Sequence, residues 1–289
     1  MEKKIKLNPF VKWAGGKQGI ASNLIRYFPV KYGKYYEPFV GGGSVLFTLQ
    51  PECAMISDAN TWLIDTYQAI KEDWNAVAEA LMEMPNTKEF FLDLRAQCPR
   101  ALPRAQKAAN FIYLNKTCFR GLFRVNQRGQ FNVPYGNYDR RYFDPANLQA
   151  VAEFLNNVDL RHGDFKISLQ DVQEGDFVYL DPPYYKLGGH SEFNRYTDQQ
   201  FRANDHVRLA EVCREMTSRG VHWIMSNSNT EFIRELYSSY YIENIRNRRE
   251  INLKSGNRDI DELLISNRPL VERRGKKFDE SDVQAVLLE

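Results

Sequence analysis

The chain has 289 residues, of which 43% are apolar and 26% charged, with a net charge of only +2. That composition fits one large or two modest globular domains with ample chain for a core, and it does not by itself select a partner. Cys53, Cys98, Cys118 and Cys213 lack CxxC spacing, and His162, His190, His206 and His222 are dispersed, which argues against a disulfide framework or a zinc site. No apolar run approaches transmembrane length and no apolar core of a signal peptide opens the chain, so a cytoplasmic protein without a membrane partner is expected.

The first informative stretch is Lys12-Trp13-Ala14-Gly15-Gly16-Lys17. Gly-Gly-Lys suggests a phosphate loop, but Val11 stands where its first glycine belongs, and Gln18 where Ser or Thr belongs. It reads either as a glycine turn into an amphipathic helix from Ile20 to Phe28, or as pocket lining by Trp13 and Lys17. Next, a β-rich run from Tyr35 ends in Gly41-Gly42-Gly43-Ser44, and Val45 to Leu49 opens a helix. Strand, glycine turn and helix form the entry of a nucleotide-binding α/β unit, where small residues let a ligand approach the backbone. Leu46 occupies the third glycine position, which disfavours a dinucleotide pyrophosphate. A second strand, Ala54 to Ser57, ends at Asp58. A carboxylate there suits the two hydroxyls of a ribose; it also suits the cap of a helix beginning near Asn60.

From Thr61 the character changes. Trp62 to Met84, Thr87 to Gln97 and Ala105 to Asn115 read as helices, and 61–156 is expected to be an inserted, mainly helical domain. Between Pro99 and Tyr142 stand nine basic residues and one acidic, interleaved with Phe119, Phe123, Phe131, Tyr135, Tyr138 and Tyr142. That mixture reads as a nucleic-acid surface, and the plain alternative is a solvated face.

Strands resume at Val158 to Arg161, ending in Gly163-Asp164-Phe165. Phe177 to Leu180 is a short buried strand running into Asp181-Pro182-Pro183-Tyr184. Two prolines end the ladder and stiffen the chain. A carboxylate, free carbonyls and an aromatic ring then meet at a strand's carboxyl end, where open α/β sheets bind ligands. That set suits methylation of an exocyclic amino group on a nucleobase. The carboxylate and the Pro182 carbonyl accept its two hydrogens, and the tyrosine face stacks on the base. An ordinary Asp-Pro turn is the alternative. Gly188-Gly189 through Tyr196 reads as a mobile loop over the site. Asp198 to Arg219 is an amphipathic helix and Val221 to Met225 a buried strand. A last strand pair lies near Tyr240–Arg246 and Asp261–Ile265, with a basic segment, Arg246 to Arg258, between.

Together these stretches resemble the Dam family of DNA adenine-N6 methyltransferases, in the order of its alpha type. The resemblance is carried by Lys12–Lys17, Glu37-Pro38-Phe39-Val40-Gly41-Gly42-Gly43-Ser44, Phe131-Asn132-Val133-Pro134-Tyr135-Gly136 and Asp181–Tyr184. Tyr113-Leu114-Asn115-Lys116 and Asp261-Glu262-Leu263-Leu264 add to it, over roughly Pro9 to Asn267. It implies a Rossmann-like α/β sheet, S-adenosylmethionine as methyl donor, no metal, and double-stranded DNA as partner. The implied parts are a catalytic domain in two pieces, 1–60 and 157–270, the recognition insert 61–156, and a charged tail 271–289. Trp13, Lys17, Phe39, Gly41, Gly43, Asp58, Asp164 and Asp181 would line the cofactor pocket. Asp181, Pro182 and Tyr184 would hold the flipped adenine, and Lys12, Arg120, Arg124 and Tyr138 would contact DNA. GATC or a related short site is the implied target. Many relatives carry Asn where this chain has Arg120, and some a basic residue at Asn137, so the target sequence stays open. A monomer is expected, and a cognate restriction enzyme is a partner such systems allow. Three rivals stay open: an amino-methyltransferase acting on RNA or a glutamine side chain, a catalytically inactive DNA-binding relative, and, weakest, a nicotinamide oxidoreductase.

Overall fold

The computed structural model describes residues 5–97, 102–126, 129–185, 201–248 and 259–273. The glycine loop at 188–196, Arg128, the basic segment from 249 to 258 and the tail beyond 273 lie outside them.

Seven strands form one sheet. They are β1 (Tyr35–Glu37), β2 (Ala54–Asp58), β3 (Val158–His162), β4 (Phe177–Leu180), β5 (His222–Ser228), β6 (Tyr241–Arg248) and β7 (Asp259–Ser266). Their order is β3-β2-β1-β4-β5-β7-β6. The first five are parallel, and β7 runs antiparallel to both neighbours. Helices connect them: α1 (Ala21–Leu24), α2 (Ser44–Leu49), α3 (Thr61–Met82), α4 (Lys88–Ala96), α5 (Arg104–Thr117), α6 (Pro145–Leu155), α7 (Phe165–Ser168), α8 (Ala203–Ser218) and α9 (Glu231–Leu236).

Both faces of the sheet are covered, which explains why its central strands read as continuous apolar runs. Successive residues alternate between two cores. Tyr35, Ala54, Ile56, Phe177, Tyr179, Ile224 and Leu264 join one that also contains residues of α2, α3, α5 and α6. Tyr36, Met55, Val178, Leu180, Trp223, Met225, Leu263 and Ile265 join the other, with α8 and α9. The period of two is the pleat itself.

Two local expectations change. The helix expected over Ile20–Phe28 is one α turn tightening into a 3-10 turn at Ile25–Tyr27. Pro29 explains this, because it drives the preceding Phe28 to an extended ψ of 150°. The cap that is the alternative reading of Asp58 belongs to Asn60, whose side chain accepts from Leu63 N at 3.0 Å. Asp58 instead accepts from Asn60 N at 2.9 Å, just ahead of that cap.

Between β2 and β3 the chain is helical, with isolated antiparallel bridges at Cys118–Tyr135 and Val125–Phe131 among the described residues. α3 packs against β2 and β3 on one side and against α5 and α6 on the other. No described helix is long and apolar enough to cross a membrane.

Candidate active site

Parallel strands deliver their carboxyl ends to one edge of the sheet. There β1 runs into the glycine turn, β2 ends at Asp58, β3 leads to Asp164 and β4 to Asp181. The strand order reverses direction between β1 and β4, the crevice where open α/β sheets bind ligands.

The glycine turn is shaped by close contacts. Gly41 has φ +51° and Gly43 φ +74°, conformations that favour glycine. A Cβ on Gly41 would lie 2.6 Å from the Trp13 ring, and one on Gly43 would lie 2.5 Å from the Tyr67 hydroxyl. Asp58 Oδ2 accepts from Gly41 N at 3.1 Å, and the Tyr67 hydroxyl donates to the Gly41 carbonyl at 3.1 Å. Burial pushes Asp58 up to about 6, against the hydrogen bonds from Asn60 and Gly41 that favour its charge. Beside the turn, Phe39 packs 5.5 Å from Phe165 and 5.8 Å from Phe201. Asp164 caps α7 through Lys166 N at 2.9 Å, and both its oxygens lie 3.0 Å from Arg208 Nη2. The Arg208 guanidinium in turn lies over the Phe165 ring at 5.1 Å.

At the end of β4, Lys17 Nζ lies 2.9 Å from Asp181 Oδ1, at a site where the lysine is 3% exposed. It donates to the Tyr184 hydroxyl at 2.7 Å and to the Gly15 carbonyl at 3.3 Å. Tyr184 donates in turn to Glu262 Oε2 at 2.9 Å. Burial is the main reason Asp181 is pushed up to about 6. Lys17 pulls it down and Glu262 raises it again. Behind it, Glu37 is pushed up to about 8 by burial, helped by Asp181, although Tyr35 donates to it at 2.8 Å. Glu37 is therefore mostly neutral near pH 7 while Asp181 is mostly charged.

Of the predicted DNA-contacting residues, Lys12, Arg120 and Tyr138 meet. Lys12 Nζ lies over the Tyr138 ring at 5.9 Å, and Arg120 N donates to the Tyr138 hydroxyl at 2.8 Å. Arg124 donates to Asn132 Oδ1 at 2.7 Å and to its carbonyl at 3.1 Å. Buried Asn115 ties Lys12 to Gly121. It accepts from Lys12 N at 2.7 Å and donates to the carbonyls of Lys12, at 2.9 Å, and Gly121, at 3.2 Å.

The structure thus joins Lys17 with Asp181 and Tyr184, Asp58 with Gly41, and Trp13 with the glycine turn. Pro182 is buried beside Asp181. Sequence reasoning left out of the site Glu262, Glu37, Asn115 and Arg208. Glu262 carried a signal: a carboxylate directly before the apolar run Leu263-Leu264-Ile265.

Residues 13–251 match the family described as D12 class N6 adenine-specific DNA methyltransferase. The chain is 39% identical over 288 residues to the type II methyltransferase M.MjaIII of Methanocaldococcus jannaschii, covering 91% of this chain and 100% of the relative. It is 37% identical over 274 residues to the type II methyltransferase M1.LlaDCHI of Lactococcus lactis subsp. cremoris, covering 91% and 96%. With the DNA adenine methylase of Escherichia coli K12 it shares 32% identity over 273 residues, covering 93% and 98%. These matches agree with the resemblance drawn from the motifs, and the chain belongs to the D12 class of N6 adenine-specific DNA methyltransferases.

Proposed function

We propose that this DNA adenine methyltransferase acts on a flipped-out adenine at GATC or a related short duplex site, using Asp181, Pro182 and Tyr184 on the target base. The observation that carries this reading is the half-buried Asp181 carboxylate at the end of β4, braced by Lys17 at 2.9 Å. An amino group paired in a duplex is out of reach of such a pocket, so the target base has to leave the stack.

The donor set fits a cationic, ribose-bearing cofactor. Two half-buried carboxylates, Asp58 and Asp181, flank a glycine turn too crowded for a Cβ. S-adenosylmethionine bound there supplies a methyl group on a sulfonium, an already activated leaving group. Asp58 would accept the ribose hydroxyls, and Phe39 with Phe165 would face the purine. For Asp164 to accept a purine amino group, it has to share its oxygens with Arg208. Asp181, ionised above about pH 6, would accept one hydrogen of the target amino group. The Pro182 carbonyl would accept the other. Those bonds strengthen as positive charge develops on the nitrogen, so the site is built for alignment and electrostatics rather than covalent catalysis.

Segment 61–156 would serve as the recognition part, with Lys12, Arg120, Arg124 and Tyr138 on the DNA. Arg124, held in plane by Asn132, is set to offer its remaining donors to a guanine edge or a phosphate. Arg120 sits at φ +60°, a conformation in which Asn is far commoner, so its side chain is displayed at some backbone cost. A monomer acting in the cytoplasm, with or without a cognate restriction enzyme, completes the reading.

The test is methyl transfer from labelled cofactor to two duplexes, one with GATC and one with those bases scrambled. Label in adenine of the first alone is the expected result. Equal labelling of both would reject the site and leave the chemistry; label in neither would reject the reading.

A further inference from the structure

The strand that reverses the sheet brings a carboxylate into the active site. β7 is antiparallel to β5, and Glu262 pairs with Ser228 at the last position of β5. The early part of β7 therefore lies at the same edge as the carboxyl ends of the parallel strands. Glu262 is 1% exposed, followed by the fully buried Leu263, Leu264 and Ile265. A carboxylate buried this deeply is retained only where it is paired. Its Oε2 accepts from the Tyr184 hydroxyl at 2.9 Å and lies 3.6 Å from Lys17 Nζ.

The Tyr184 hydroxyl is consequently held twice. Its proton goes to Glu262, and its lone pair receives Lys17 at 2.7 Å. Lys17 is shared in the same way between Asp181 and Glu262. Tyr184 also stands close enough to hydrogen-bond Asp181. Asp181 already takes Lys17 at 2.9 Å; without Glu262 the tyrosine proton would turn to Asp181 as well, filling a further acceptor position that a target amino group needs.

We propose that Glu262 is a positioning residue for methyl transfer: it holds Tyr184 and Lys17 in place and draws the tyrosine proton away from Asp181, without touching the substrate. This rests on the assignment of Asp181 and Tyr184 to the target base made above.

The discriminating variant is Glu262→Gln, assayed in single turnover with a duplex substrate. Loss of the ion pair, and of the charge that strengthens the Tyr184 hydrogen bond, predicts a transfer rate about 10- to 100-fold lower. Cofactor affinity and the KM for DNA should stay within about threefold, because neither ligand meets Glu262. The pH profile adds a readout that a purely structural role leaves unmoved. The groups facing Asp181 are Lys17 from the N-terminal loop, Glu37 from β1, Tyr179 from β4, Tyr184 from the turn and Glu262 from β7. Glu262 raises Asp181, so its removal should move the acid limb of the transfer rate to lower pH. Adding Glu262→Gln to Tyr184→Phe should cost less than it does alone, since both act through one hydroxyl.

A Glu262→Gln rate within about twofold of the parent would overturn the proposal. So would a loss that appears as weakened cofactor or DNA binding with an unmoved acid limb. Should this variant fail to fold, Glu262→Asp carries the test: it keeps the charge, shortens the reach, and should lower the rate with the acid limb unmoved. Asp181→Ala separates the two levels. Turnover persisting in that variant would overturn the site assignment, and the role of Glu262 with it; its absence beside a slow, acid-shifted Glu262→Gln supports both.

Discussion

Replacing Asp181 by Asn should abolish methyl transfer and, above pH 6, relieve the fold. The carboxyl is pushed from 3.8 to about 6, chiefly by burial, at a side chain only 18% exposed. A folded-state value above the unfolded one means that the folded protein holds the proton more tightly. The stability linked to that proton is fully present below about pH 4 and is lost as pH rises through about 6. Two units correspond to about 3 kcal/mol, of which about 2–3 fall between pH 4 and pH 7. Asn at this position has no such titration. It also leaves Lys17 with Glu262, Tyr184 and the Gly15 carbonyl as partners, so the ammonium is not stranded. The difference in unfolding free energy between Asp181→Asn and the parent should therefore move in favour of the variant by that amount across this window. Urea melts of both proteins at half-unit steps from pH 4 to pH 7 give the curve directly. A difference that is flat with pH, or that moves in favour of the parent as pH rises, would refute the assignment of Asp181 as a carboxylate held ionised at a cost.

Three further substitutions follow from the same contacts. Gly43→Ala forces a left-handed residue against Tyr67 and Phe47, and should cost about 2–4 kcal/mol in urea unfolding together with more than tenfold in cofactor affinity by calorimetry. Asn115→Ala removes three hydrogen bonds at a fully buried amide and should cost about 2–4 kcal/mol; hydrogen exchange at the Lys12 amide should accelerate, and unchanged protection there would refute the clamp. Arg120→Asn at φ +60° should stabilise the fold by up to about 1 kcal/mol and change the preferred bases flanking or within the methylated site, read by sequencing methylated random duplexes.

How much of this was legible in the sequence depends on the distance over which each feature is decided. The parallel strands and the glycine turn were legible because they are local: β4 is four apolar residues closed by two prolines, and the turn at Gly41–Gly43 needs positive φ within one stretch. Helix α6 carries an equally local signal, with Asp144 capping Ala146 N at 3.1 Å and Pro145 at the first turn, although no separate helix was expected there within the helical insert. Lys17 sits in a glycine-rich stretch that departs from the phosphate-loop pattern, and its partner Tyr184 is 167 positions away, a separation at which spacing rules say nothing.

Glu262 shows the limit most clearly. On a parallel sheet, candidate site residues are sought just after strands, and that rule finds Asp58, Asp164 and Asp181. One antiparallel strand inverts the rule, since its early residues then lie at the ligand edge. A charged residue ahead of an apolar run looks like a strand's solvated beginning, and only the direction of β7 relative to β5 turns it into a buried partner of Tyr184. Strand direction is set by the connections and by packing on both faces, so the chemistry of this residue becomes readable once the topology is known, and not before.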